Sequence, residues 1–153
     1  MDLAYINAFS KSTYDLLKNY LDVDSQKGQL ELKTQASPIR GVAVIVGITG
    51  QINGKVILDM ALEVGHRLTT RFNEEYSSEI NDMFISTLKE FGNVVCGGAI
   101  TRLTSQDLDI TPPTIILGER MTLVEEKGTE IVMIPFHTTL GLIDLNIVVN
   151  PSK

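Results

Sequence analysis

The run Ser86-Thr-Leu-Lys-Glu90-Phe-Gly-Asn93 sets a carboxylate and a carboxamide three residues apart, in a segment patterned as an amphipathic helix. Phe84, Leu88, Phe91, Val95 and Ala99 fall at the i, i+4, i+7, i+11 positions of a core-facing stripe. Two residues further on, roughly 200° around the helix, the same spacing yields Ser86, Glu90, Asn93 and Gly97. A carboxylate accepts hydrogen bonds and a carboxamide both donates and accepts them. One turn apart and opposite the core, the two groups are placed to touch a partner. Gly92, Gly97 and Gly98 oppose the helix they occupy, at about 1 kcal/mol each relative to alanine. Bare backbone beside an acid and an amide implies close approach by another molecule or another helix. A glycine-cushioned helix–helix contact, with Glu90 and Asn93 as incidental surface groups, is the competing reading of the spacing.

The flanking sequence supplies the elements that must hold this helix. Apolar spacing predicts helices over residues 2–21 and 61–73, and the motif-bearing helix over about 79–104. Strands are expected at 29–34, 41–49, 55–60, 114–117, 121–125, 130–137 and 141–149, with residues 22–28 a polar loop. Gly50-Gln-Ile-Asn53-Gly54 has the chemistry of a hairpin turn. Thr111-Pro112-Pro113 excludes helix and enforces an extended entry to the strand that follows. The expected fold is α+β, three helices and about six mostly antiparallel strands, in one domain over residues 1–153. One echo occurs: Asp59, Glu63 and His66 repeat the spacing of Ser86, Glu90 and Asn93, and Gly65 mirrors Gly92. Its flanks do not match, and histidine presents no carboxamide, so it is read as coincidence.

Composition narrows the functional classes. A net charge of −6, with 13 scattered Lys and Arg residues, offers no basic patch for nucleic acid. No phosphate-cradling glycine loop of either nucleotide-binding type is present. His66 and His137 stand apart without metal-ligand spacing, and no serine has the Gly-x-Ser-x-Gly setting of a hydrolase. Neither a metal nor a cofactor of its own is expected. The single cysteine, Cys96, permits no internal disulfide and reads as a small core residue of a reducing, cytoplasmic protein. No apolar run approaches the roughly 18 residues of a membrane helix, and the first residues, Met-Asp, lack the character of a secretory leader, so no membrane association is expected.

Four segments in order resemble the CheX branch of the CheC/CheX/FliY phosphatases of bacterial chemotaxis. Asn7-Ala-Phe-x-x-Ser12-x-Tyr14 is similar to the family's opening helix, and Val46-Gly47-Ile-Thr49-Gly50-x-Ile-x-Gly54 to its first hairpin. Ser86-x-x-x-Glu90-x-x-Asn93 followed by Gly97 resembles the active-site signature, an Asp or Ser, then Glu, then Asn. Asp109-Ile-Thr-Pro112-Pro113-Thr114 resembles the extended segment after that helix. Gly98 departs from the pattern, since relatives often carry a polar or charged residue there.

The resemblance implies a phosphatase acting on the aspartyl phosphate of a CheY-like receiver, whose Mg²⁺ belongs to the receiver. It assigns catalysis to Glu90, pairing with the receiver's lysine, and Asn93, orienting the attacking water. Ser86, Gly97 and Gly98 are then partner-contacting positions. It also implies a homodimer joined through edge strands, for which the apolar 141–149 strand is the expected partner surface. The alternative is a non-catalytic adaptor that binds a phosphorylated receiver or a flagellar switch protein through the same face.

Overall fold

In the computed structural model, which describes residues 1–152, a continuous antiparallel sheet carries helices on one face and two irregular segments on the other. The centre is built from long alternating strands. β3 (Val42–Gly50) and β4 (Gly54–Met60) form the expected hairpin, and β7 (Glu130–Thr138) and β8 (Gly141–Val149) form a second. β8 pairs with β4, which joins the hairpins. Short strands finish each edge: β1 (Ser25–Lys27) and β2 (Glu31–Lys33) on β7, β5 (Leu108–Ile110) and β6 (Thr114–Leu117) on β3.

Because strand side chains alternate between faces, Val42, Val44, Val46 and Ile48 of β3 join the main core under the helices, while Ala43 and Ile45 join a smaller cluster behind. β4 and β8 divide the same way: Val56, Leu58, Met60, Ile143, Leu145 and Ile147 lie in front, Ile57 and Val148 behind.

Helix α1 (Leu3–Asp15) starts at Asp2, whose side chain accepts from Ala4 N at 3.1 Å. Its last turn, Leu16–Tyr20, widens, with Leu21 N donating to Leu16 O. Helix α2 (Leu62–Asn73) ends at Glu74, whose φ of 55° turns the chain out of the helix. Helix α3 (Asp82–Thr101) starts at Asn81, whose side chain accepts from Phe84 N at 2.9 Å. Phe84, Leu88, Phe91, Val95 and Ala99 are buried. Burying each of the four larger side chains contributes about 1.5–3 kcal/mol, which outweighs the roughly 1 kcal/mol cost of each glycine and fixes the roll of α3 on the sheet.

Among the described residues there are eight strands in place of the expected six or so, and every pairing is antiparallel. The additions, β1 and β5, have three residues each, too few to show alternation. Residues 121–125 form no strand. They cross the rear face, where Ile39 N donates to Met121 O at 2.8 Å and Gln35 exchanges two 3.0 Å hydrogen bonds with the backbone of Glu125. That segment pairs with another irregular one, and Leu123 caps the rear cluster beside Ile39 and Ile57. The 141–149 strand is interior, flanked by β7 and β4 and needing no second copy to cover it. The sheet edges belong to β1, β2, β5 and β6.

Candidate functional site

Helix α3 lies across β3, β5 and β6, with α1 and α2 packed against it. Its roll leaves Ser86 and Glu90 exposed and Asn93 half-buried at the same surface. Among the described residues, Glu90 has no ion-pair partner, and neither its side chain nor that of Asn93 makes a hydrogen bond. Among the described residues, an unpaired carboxylate and a free carboxamide thus lie one turn apart at one surface of α3. Ser86 is partly committed, its hydroxyl donating to Met83 O at 3.2 Å.

The glycines separate into two groups. A Cβ at Gly92 would lie 2.6 Å from Val44 Cγ1, and one at Gly98 would lie 2.5 Å from Ser12 Oγ. Gly92 therefore lets α3 settle on the sheet and Gly98 lets α1 approach. That approach is fixed by Ser12 Oγ, which donates to Val95 O at 2.6 Å. Arg102, bonded to Asp15 at 2.5 Å and to Gly98 O at 3.1 Å, holds the helix end to α1. A Cβ at Gly97 meets nothing within 4 Å. Of the two glycines read from sequence as partner-contacting, Gly97 faces open space on the Glu90 stripe and Gly98 serves the contact between helices.

Neighbouring groups hold the helix without joining its chemistry. Thr111 N donates to Gly47 O and Thr111 Oγ1 accepts from Gly47 N, both at 2.9 Å, tying the Asp109–Thr114 segment beside β3. Cys96 is fully buried, and burial pushes its thiol up to about 12. Tyr5, buried close by, is raised above the ordinary tyrosine range for the same reason. A thiol held protonated inside the core is a packing group, not a nucleophile. Among the described residues, no three His, Cys, Asp or Glu side chains gather as a metal site, and no helix is long and apolar enough to cross a membrane.

The Asp59–Glu63–His66 echo does not assemble. Asp59 lies near the end of β4 on the rear face, Glu63 is exposed on α2, and His66 is buried against Phe84 with ring centroids 4.4 Å apart. One feature of the front face is absent from the sequence reading. Met83, seven residues before Glu90, is 59% exposed on the same stripe and borders a cleft of about 580 Å³ between α2 and α3. Extending the stripe back by one heptad finds it.

Comparison with known proteins gives a consistent result. The family model of the chemotaxis phosphatase CheX matches residues 42–137. The CheY-P phosphatase CheX of Thermotoga maritima is 24% identical over 127 residues, covering 80% of this chain and 81% of its own. A chain of the crystal structure of the CheX–CheY–BeF₃–Mg²⁺ complex from Borrelia burgdorferi is 33% identical, with a TM-score of 0.82, covering 95% of this chain and 97% of its own. A CheC-like superfamily protein from Shewanella sp. PV-4 has the same fold, at 21% identity and a TM-score of 0.88, covering 98% and 99%.

Proposed function

The chain belongs to the chemotaxis phosphatase CheX family, and from that premise we propose that it accelerates hydrolysis of the aspartyl phosphate on a CheY-like receiver domain. The supporting observation is the Glu90–Asn93 pair, unpartnered among the described residues at the outer surface of a helix whose opposite face is held by the core stripe and by α1. The receiver brings both the electrophile and the Mg²⁺ that neutralises its charge. What it needs is a water held in line with the phosphorus–oxygen bond to be broken. The Asn93 carboxamide accepts from that water through Oδ1 and donates through Nδ2 to an oxygen near the phosphoryl group. The water oxygen bonds to phosphorus as the acyl phosphate bond breaks, returning the aspartate carboxylate and inorganic phosphate. Asn93 forms no covalent bond.

Glu90 pairs with a lysine at the receiver's phosphorylation site, and that charged contact sets the register of Asn93. Ser86, one turn earlier, contributes to docking, and Gly97 lets receiver loops reach the helix backbone. The working protein is a cytoplasmic homodimer joined at its edge strands.

The test is phosphate release from a phosphorylated CheY-like receiver with wild-type protein, with Asn93→Ala, and with neither. Wild type should accelerate release and Asn93→Ala should lose about 100-fold or more of that acceleration. If wild type binds the phosphorylated receiver without speeding release, the protein is an adaptor and the catalytic roles fall.

A further inference from the structure

The Glu90–Asn93 pair is too small to hold a receiver by itself. Specific interfaces bury about 800 Å² per partner, a patch of about 16 Å radius. Met83 lies two turns before Glu90 on the same stripe, about 10 Å along the helix axis, inside any such patch centred on the pair. It is the large apolar side chain of that stripe, 59% exposed. Tyr76 and Ile80, in the connection from α2, are exposed at 67% and 47%. Singly exposed apolar residues are ordinary, but Tyr76 and Met83 line one cleft together with Phe84, an apolar wall open to a partner.

The rim of this cleft has one sign of charge. Its charged lining residues are Glu75 and Glu79, with no lysine or arginine among the residues that line the cleft. Asn81, at the foot of the cleft, caps α3, and Asn73 shares hydrogen bonds of 3.1 and 3.2 Å with Thr87. The cleft floor is therefore built from hydrogen-bonded helix ends.

We propose that Met83 and the acid-rimmed cleft behind it are the docking anchor for the receiver, taking a segment that carries an apolar side chain flanked by basic ones. The inference rests on the phosphatase reading for the partner's identity. It assigns affinity to Met83 and chemistry to Asn93, so Met83 is a positioning residue. Burial of an apolar anchor acts equally on bound ground state and transition state, which changes KM and leaves kcat alone.

The experiment combines two readouts on Met83→Asp, Met83→Leu and Val124→Asp, the last an 84% exposed position on the rear-face segment. Binding is titrated against a receiver carrying Mg²⁺ and beryllofluoride, and dephosphorylation is followed against receiver concentration. Met83→Asp should raise both Kd and KM about tenfold with kcat unchanged, Met83→Leu should stay within about twofold, and Val124→Asp should match wild type. Wild-type affinity in Met83→Asp, or an equal loss in Val124→Asp, overturns the inference. Wild type that binds without hydrolysis, with binding lost in Met83→Asp, supports the anchor while removing the phosphatase reading. Wild type that does not bind overturns both.

Discussion

Helix α3 and the β4–α2 junction carry the same spacing of side chains with opposite outcomes. On α3, Ser86, Glu90 and Asn93 lie on one outward stripe of a single helix. At the junction the first residue, Asp59, belongs to a strand, because α2 starts only at Leu62. Glu63 is occupied by Arg67 at 2.6 Å, and Arg67 also donates to Leu140 O. His66 turns inward onto Phe84. Both segments contain a glycine for close packing, Gly92 on Val44 and Gly65 beside Val42 and Phe84. Spacing makes a shared outward face only when the whole spacing falls within one helix and the core stripe rolls it outward.

The largest contrast is expected between Asn93→Ala and His66→Ala. The first should remove about 100-fold of the phosphatase rate and leave the thermal transition nearly unchanged, since the side chain makes no intramolecular bond. The second should leave the rate within about twofold while costing about 1–3 kcal/mol in stability, through the lost ring contact and the cavity left behind. Activity measured beside urea unfolding separates them. A large rate loss in a stable His66→Ala protein would make the junction a working site and end the contrast.

A smaller contrast lies within α3. Gly98→Ala forces the Ser12 hydroxyl off Val95 O and should cost about 1–3 kcal/mol. Gly97→Ala meets open space and should add up to about 1 kcal/mol of stability from helix propensity, at the expense of receiver affinity. Urea midpoints for the two variants, compared with KM for Gly97→Ala, test this separation. If both destabilise alike, the difference in their surroundings carries no weight.

What is legible in the sequence follows from length and period. The Phe84–Ala99 stripe spans four turns, and its complement places Glu90 and Asn93 on the exposed face. The β3–β4 hairpin is legible from its turn chemistry, and β7 and β8 from their long runs of Leu, Ile and Val. The strands that pattern does not reveal, β1 and β5, are fixed by the neighbour they pair with. Residues 121–125 look like a strand because Leu123 and Val124 follow Met121 and Thr122, yet which partner a backbone meets is a tertiary fact. The separate duties of Gly97 and Gly98 are hidden too, because only the position of Ser12 on α1 distinguishes them. Asp59, Glu63 and His66 share a spacing but not an element, because the extended Ala61 starts α2 after the first of them.

Asp59 offers the finest test of the comparison. It faces Asp144 across the β4–β8 pair; its Oδ1 accepts from Arg40 N at 3.0 Å, while the Arg40 guanidinium is bonded to Asp144 at 3.1 Å. Both carboxylates are buried. Burial first, and then the Asp144 charge, raise the Asp59 carboxyl above its ordinary 3.8, against the opposing pull of Arg40. A raised folded pKa means that the folded protein holds this proton more tightly than the unfolded chain. The contribution is therefore complete below about 3.8 and is lost as pH rises from there through the folded value. An asparagine at this position would keep the acceptor for Arg40 N without the charge. Asp59→Asn should flatten that part of the stability–pH profile and match or slightly exceed wild type at pH 7, with phosphatase activity unchanged. Thermal unfolding from pH 4 to 8 measures it. A residue of the echo that alters only this slope is a buried structural carboxylate, whereas a loss of receiver dephosphorylation at constant stability would give the β4–α2 junction a share in function.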